Sequence, residues 1–389
     1  MLLETIAMAL AAAHFGAPLL YYWRARRWLK RPWDVAPDPT YRPRVTVIVP
    51  TYNEAPLVEE KLDNIYEQDY PRDRLEVVVV DSASTDGTPH AVRRWAAAHP
   101  DLALTLVEEA ERRGKAHALN TALRYATGEV VVITDADALW PARDTLANAV
   151  KWLADPIVGA VSCVKKPADP AGVEDSYRDF YNVLRVAESK AWATPIFHGE
   201  LAAFKRELLE RLGGFPTDVG ADDSHTATRI AMMGYRAITP PDVVCVEAVP
   251  RRGYHAWRVR RAQHLVQHFA KAIRDGGAPP PFKPILHAEA YLHLANPWAL
   301  PTAAAALAAA AAAGSLPAAA LLATGAALAL YRPYRTWAAM QAYLIAAAVK
   351  NLWNKDSVWQ KQEKHWHDKP TKGMETSQRR ITAYTTRLP

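Results

Sequence analysis

Two aspartates one residue apart close an apolar run. Val131-Val132-Ile133-Thr134 is followed by Asp135-Ala136-Asp137, and apolar residues resume at once. Hard oxygen ligands at i and i+2 after a buried strand can hold a divalent cation, and such a cation neutralises a diphosphate. Alone, Asp-x-Asp is commonly a solvated turn. Its surroundings decide otherwise, because two further apolar runs also end in polar clusters, Thr51-Tyr52-Asn53-Glu54 and Asp81-Ser82-Ala83-Ser84-Thr85-Asp86-Gly87.

The elements that must position these residues alternate in type. VTVIV (45–49), LEVVVV (75–80), LALTLV (102–107) and EVVVIT (129–134) read as strands, and helical patterns begin near Ala55, Pro89 and Gly114. Continuous Val/Ile runs separated by helices predict an α/β domain whose mainly parallel sheet is buried on both faces. Sheets of this kind bind ligands beyond the carboxyl ends of their strands, so the three polar strand ends converge on one edge. No Gly-x-Gly-x-x-Gly follows the first strand, and no Gly-rich lysine loop occurs. Dinucleotide and phosphate-loop readings therefore lack support.

The 389 residues suffice for one catalytic domain with additional elements. Leu2 to Trp23 is apolar apart from Glu4 and His14, and Arg24, Arg26, Arg27, Lys30 and Arg31 follow it. This order, with a Tyr21-Tyr22-Trp23 girdle, predicts a membrane anchor over 1–31 rather than a signal peptide. Ala295 to Tyr331 is Ala/Leu-rich and broken by Gly314-Ser315-Leu316-Pro317, which predicts a transmembrane hairpin over 295–332, each half only just long enough to span. About three crossings satisfy the distribution of Lys and Arg, with the segment between the anchors cytoplasmic in an integral protein of the cell membrane. Residues 251–294 read as basic amphipathic interface helices, and 333–389 as an interfacial helix (337–353, with a fourth span the alternative) and a cytosolic tail. The net charge is +6, and the basic clusters lie beside the apolar segments, which argues against nucleic acid as a partner. Two cysteines, Cys163 and Cys245, each in an apolar run, exclude a disulfide framework.

VTVIVPTYNE (45–54), VVVVDSASTDGT (77–88), RRGKAHALNTAL (112–123), VVITDADALW (131–140) and GELAAFKRELLERLGGF (199–215) resemble, in order, the motifs of family-2 glycosyltransferases of the GT-A type. The likeness covers roughly 44–265. With the flanking apolar helices, the chain is similar to membrane-bound, cellulose-synthase-like members, and among these to archaeal enzymes that transfer mannose to a dolichyl-phosphate-type lipid acceptor in N-glycan biosynthesis. The resemblance implies a Rossmann-like GT-A domain over 41–250 and a nucleotide-sugar donor. Pro50, Tyr52 and Glu54 would frame base and ribose, and Asp81 would bond the base edge or ribose, its alternative being a helix cap. Lys115 would lie close to the donor. Asp135 would touch ribose or the metal's water, and Asp137 would coordinate Mn²⁺ or Mg²⁺, with His255 as a further ligand.

Members of the family place the catalytic base as the Asp of a Glu-Asp pair at the start of a helix. Asp223 falls there, and Asp222 stands where the family has Glu. The alternative is that Asp222 only caps the helix. On the acceptor side Asp222, His198 and Lys166 are candidates. The family's Gln-x-x-Arg-Trp motif aligns with Trp257-Arg258-Val259-Arg260-Arg261, so Arg260 would clamp the leaving diphosphate. Loss of the motif's Trp argues against a processive polysaccharide synthase using a UDP-sugar. The expected activity is inverting, metal-dependent transfer, with GDP-mannose as donor and a polyprenyl or dolichyl phosphate as acceptor, although UDP-sugars would be served by the same motifs. A catalytically silent nucleotide-sugar-binding subunit is the alternative of another class. The pattern leaves room for an oligomer.

Overall fold

The computed structural model describes residues 2–168, 173–248, 250 and 253–354. They form two compact units, one drawn from 27–254 and 277–285, the other from 2–26, 255–276 and 286–354. The strands are β1 (Val45–Thr51), β2 (Leu75–Ser82), β3 (Ala103–Glu109), β4 (Val130–Ile133), β5 (Ala138–Leu139), β6 (Val158–Ser162), β7 (Val164–Pro167), β8 (Ala202–Lys205), β9 (Arg236–Ile238) and β10 (Val244–Glu247). The helices are α1 (Leu2–Leu29), α2 (Val58–Tyr66), α3 (Thr88–Ala98), α4 (Lys115–Leu123), α5 (Thr145–Val150), α6 (Val173–Ala191), α7 (Arg206–Leu212) and α8 (Asp222–Met232). They continue as α9 (Tyr254–Asp275), α10 (Lys283–Leu294), α11 (Asn296–Ala312), α12 (Leu316–Leu328) and α13 (Arg332–Lys350).

In the first unit β3, β2, β1, β4, β8, β6 and β9 lie side by side in that order, all parallel except β8. The expected mixed, mainly parallel α/β sheet is the one observed. Both faces of β1 are dry: Val45, Thr46, Val47, Ile48 and Val49 are each 1% exposed or less. Full burial of one such Val or Ile contributes ~1.5–3 kcal/mol, which is why an unbroken apolar run is stable as a central strand. From β1 the chain steps outward to β2 and β3, then returns to β4 on the other side. That reversal, between β1 and β4, is where sheets of this kind place their ligand crevice, beyond the carboxyl ends of the strands.

A second, small sheet has the order β5, β10, β7, with β10 parallel to β7 and antiparallel to β5. The run VGAVSCV reads as one strand in the sequence, but the structure divides it at Cys163, sending β6 to the large sheet and β7 to the small one. Asn182 of α6 fixes the start of β7, accepting the Lys165 N–H (3.2 Å) and donating to the Lys165 carbonyl (3.0 Å).

In the helical unit α1 is, among the described helices, the one long and apolar enough to cross a membrane by length and composition. Its 28 residues reach about 42 Å at 1.5 Å per residue. The hairpin expected over 295–332 is present as α11 and α12, joined through Gly314 at φ +92° and capped at its second helix by Ser315 Oγ. These helices have 17 and 13 residues, about 26 and 20 Å, short of a ~30 Å hydrocarbon core, so about three full-length crossings are not what the described helices provide. Ala/Leu composition favours helix but does not fix its length. Where an interfacial helix is expected at 337–353 the structure has the helix α13, Arg332–Lys350, and Ala262 of α9 packs with its Leu344 and Ala347. The expected tail beyond 354, and Arg251 and Arg252 at the start of the expected interface helices, lie outside the described residues.

Candidate active site

The loops after β1 and β2 are laced together at the crevice. Asn53 N–H donates to Ser84 Oγ (2.8 Å), Glu54 N–H to Thr88 Oγ1 (2.8 Å), Ala55 N–H to Asp86 Oδ2 (3.1 Å) and Thr85 N–H to Asn53 Oδ1 (2.8 Å). Asn53 and Ala83 are left-handed, at φ +54° and +57°. Asparagine tolerates this region, but at Ala83 it costs about 1–2 kcal/mol, and the surrounding bonds hold the strain beside the crevice. Asp81 is 2% exposed and turned into its loop, accepting from Thr51 Oγ1 (3.1 Å), Ser84 N–H (2.9 Å) and Ser84 Oγ (2.5 Å). It does not cap α3, whose first turn is tied by Asp86 through Thr88 N–H (3.0 Å) and Thr88 Oγ1 (2.5 Å). Pro50 lies within β1 opposite Val80. The Arg112 guanidinium stacks on the Tyr52 ring at 3.7 Å, a contact with no signal in the sequence.

The centre of the site is a lysine among carboxylates. Gly114, at φ +102°, starts α4 and places Lys115 at its first turn. Lys115 Nζ lies 2.7 Å from Asp135 Oδ1 and 3.7 Å from Asp222 Oδ2. Gly199 faces all of them: a Cβ there would lie 2.7 Å from Lys115 Nζ and 3.4 Å from both Asp135 Oδ2 and Asp223 Oδ2. Residues from four separated motifs thus meet within one small volume, and a side chain at 199 would fill it. Asp135 N–H donates to the Gly199 carbonyl (3.1 Å), which ties the β4 end to the segment beginning at Gly199.

Charge in this volume is unbalanced, and proton affinities respond. Burial raises the pKa of Asp135, Lys115 offsets part of that, and Asp137 adds to it. Burial likewise raises Asp222, against the pull of Lys115. Asp223 is pushed up to about 6, first by burial and then by its neighbour Asp222. Burial works against the Lys115 ammonium, but Asp135, Asp222 and Asp223 outweigh it and keep the lysine charged. Asp223 is therefore ionised at neutral pH yet has appreciable affinity for a proton, as a general base requires.

The 197–215 segment is fixed from behind. Ser224 Oγ accepts Phe197 N–H (3.1 Å), and His198 N–H donates to Ser162 Oγ (3.0 Å). Asn120 of α4 accepts Phe215 N–H (2.7 Å) and donates to the Phe215 carbonyl (2.9 Å), which docks Gly213-Gly214-Phe215. Below lies a buried ion network: Lys165 Nζ bonds Glu200 Oε1 (2.7 Å) and Glu247 Oε2 (3.1 Å), and Arg178 Nη2 bonds Glu247 Oε2 (3.1 Å). Lys166 pairs with Asp179 at 2.5 Å. His255 and Arg260 lie on α9 in the helical unit, where His255 Nδ1 is 2.5 Å from the Tyr343 hydroxyl. Trp257, where the family motif has Gln, is buried, with Arg258 and Arg261 over its ring at 5.1 and 4.9 Å.

Among the described residues no three His, Cys, Asp or Glu side chains form a self-sufficient cation site. Asp135 and Asp137 offer hard oxygens on one turn, which suits an ion that completes its shell with phosphate oxygens and water.

Comparison with known proteins bears on this site. The glycosyl transferase family 2 model matches residues 46–213, and the glycosyl transferase family group 2 model matches 130–350. The mannosyltransferase PcManGT from Pyrobaculum calidifontis, solved in complex with GDP-Man and Mn²⁺, is 90% identical with a TM-score of 0.85, covering 91% of this chain and 100% of that one. Glycosyltransferase AglE from Haloferax volcanii is 29% identical over 212 residues, 54% of this chain and 68% of that protein. The probable glycosyltransferase YdaM from Bacillus subtilis is 25% identical over 227 residues, and the match spans about half of its length (54%).

Proposed function

This chain belongs to glycosyl transferase family group 2, and on that premise we propose that it transfers mannose from GDP-mannose, with inversion and with a divalent cation, to a lipid-linked phosphate acceptor at a membrane. The observation that carries the reading is the convergence of Lys115, Asp135, Asp222 and Asp223 around Gly199. The donor and the cation are carried over from the complex of the 90%-identical mannosyltransferase with GDP-Man and Mn²⁺. The lipid acceptor rests on the resemblance to archaeal enzymes and on the apolar helix α1.

The laced loops after β1 and β2 receive the nucleoside, with Tyr52 and Glu54 framing it and Asp81 holding the loop's shape. Asp135 and Asp137 would hold Mn²⁺ or Mg²⁺, and the ion would neutralise charge on the leaving diphosphate. Lys115 holds Asp135 and Asp222 in place and keeps positive charge in the crevice. Gly199 leaves the space that the sugar needs. Asp223 takes the proton of the acceptor's attacking oxygen on the face opposite the departing diphosphate, and Asp222 raises its proton affinity. The motif that Arg260 matches implies a clamp on the leaving diphosphate.

A direct test is turnover by the full chain in detergent, with GDP-mannose or UDP-sugars, with Mn²⁺ or EDTA, and with or without polyprenyl phosphate. Mannosyl transfer should need GDP-mannose, the cation and the lipid together. Equal turnover of a UDP-sugar would refute the donor, and transfer without lipid phosphate to other acceptors would refute the acceptor.

A further inference from the structure

Lys61 is unusual for where it sits. It lies on α2 with no solvent exposure, and it forms no ion pair among the described residues. Its Nζ donates to the Ala138 carbonyl (3.0 Å) and stands 4.2 Å from the centre of the Trp140 ring. Three residues along the same helix, Asn64 donates Nδ2 to the Trp140 carbonyl and accepts the Trp140 N–H at Oδ1, both at 2.8 Å. Helix α2 therefore grips residues 138–140 at three backbone atoms. β10 holds the same stretch from the other side through Leu139 opposite Val246. The aspartate pair is part of this turn, since Ala138 N–H donates to the Asp135 carbonyl (3.3 Å).

Packing does not explain a lysine here. Methionine or leucine would fill much of the same space without desolvating an amine, a cost that shows as a Lys61 pKa lowered by burial to about 7. What an apolar residue cannot supply is a directed N–H at a fixed height above the Trp140 face. We propose that Lys61 is a positioning residue for the Asp135–Asp137 pair: by pinning the Ala138 carbonyl against Trp140, it sets the turn on which the two carboxylates receive a divalent cation. The inference rests on the metal-dependent reading above and deepens it. Lys61 acts through the Ala138 carbonyl and the Trp140 ring, and not as a ligand.

The test is Mn²⁺ binding to the full chain in detergent with GDP present, followed by the electron paramagnetic resonance of free Mn²⁺ against a protein-free GDP control, with GDP affinity in EDTA measured beside it. Lys61→Met should weaken Mn²⁺ binding by about tenfold or more, as loss of a group behind metal ligands commonly does, with metal-free GDP binding unchanged. Asn64→Ala removes the neighbouring grip and should produce a smaller loss of the same kind. Lys61→Met with wild-type Mn²⁺ affinity overturns the inference, and so does equal loss of Mn²⁺ and metal-free GDP binding, which would mark general loosening. Should Lys61→Met fail to fold, unchanged Mn²⁺ affinity in Asn64→Ala overturns it. A wild-type chain that binds no Mn²⁺ overturns the metal-dependent reading and this inference together.

Discussion

The two ends of the same three strands treat carboxylates in opposite ways. At the amino ends of β1, β2 and β4, Glu76 accepts from Thr46 Oγ1, Thr127 N–H (2.7 Å), Thr127 Oγ1 (2.9 Å) and Gly128 N–H (3.3 Å). Burial alone would raise its pKa, but these donors win and it is lowered. Backbone packs tightly here, since a Cβ on Gly128 would lie 2.5 Å from Thr46 N. At the carboxyl ends, Asp135, Asp222 and Asp223 crowd around one ammonium and all are raised. One end is saturated with donors and stabilises the fold. The other keeps charge unbalanced and backbone strained, the setting that the proposed cation and proton chemistry would use.

That contrast can be broken experimentally. The largest effect belongs to Asp137→Ala, which should lower Mn²⁺-dependent transfer by roughly 10³-fold, since a metal-bound leaving group is worth several kcal/mol. Full activity in this variant would remove the cation from the carboxyl end. Next comes pH. In the free enzyme the base is protonated below about 6, so kcat/KM should fall about tenfold per pH unit on the acid side. A flat profile down to pH 5 would place the base elsewhere. The smallest effect on activity is expected from Glu76→Gln, which should leave transfer unchanged while reducing stability by about 1–3 kcal/mol at neutral pH. The sign at the two ends also differs with acidity. The lowered Glu76 stabilises the fold above its unfolded pKa and loses that contribution as pH falls through its folded value. The raised Asp223 does the reverse, because the folded chain binds its proton more readily, so its share of stability improves as pH falls through about 6 toward the ordinary carboxylate range.

Much of the sheet unit was legible because burial on both faces writes itself as uninterrupted Val/Ile, and because polar residues cannot follow such a strand into the core. β1, β2 and β4 and their polar ends follow from that alone, and motif order then assembles Lys115, Asp135, Asp222 and Asp223. The rest was hidden for particular reasons. Lys61 sits in VEEKLDNIY, where a charged residue reads as solvent-facing, and only the fold turns it under β5. β5 has two residues and β10 four, too few for periodicity, so the small sheet and its Lys165–Glu200–Glu247 network left no pattern. The Arg112–Tyr52 stack joins residues 60 positions apart in sequence. For the Ala/Leu hairpin, composition signalled apolar helix correctly but left its length undetermined.

The central claim is that the carboxyl-end cluster is a catalytic base poised beside a donor site, and Asp223→Asn tests it most directly. GDP-mannose affinity in Mn²⁺, single-turnover transfer and thermal unfolding would be measured on the same preparation. Donor affinity should be unchanged, transfer should fall by about 10²–10⁴-fold, and Tm should rise by a few degrees because a repelled carboxylate has been neutralised. Near-normal transfer with Asp223 replaced would contradict the account, whatever happened to stability.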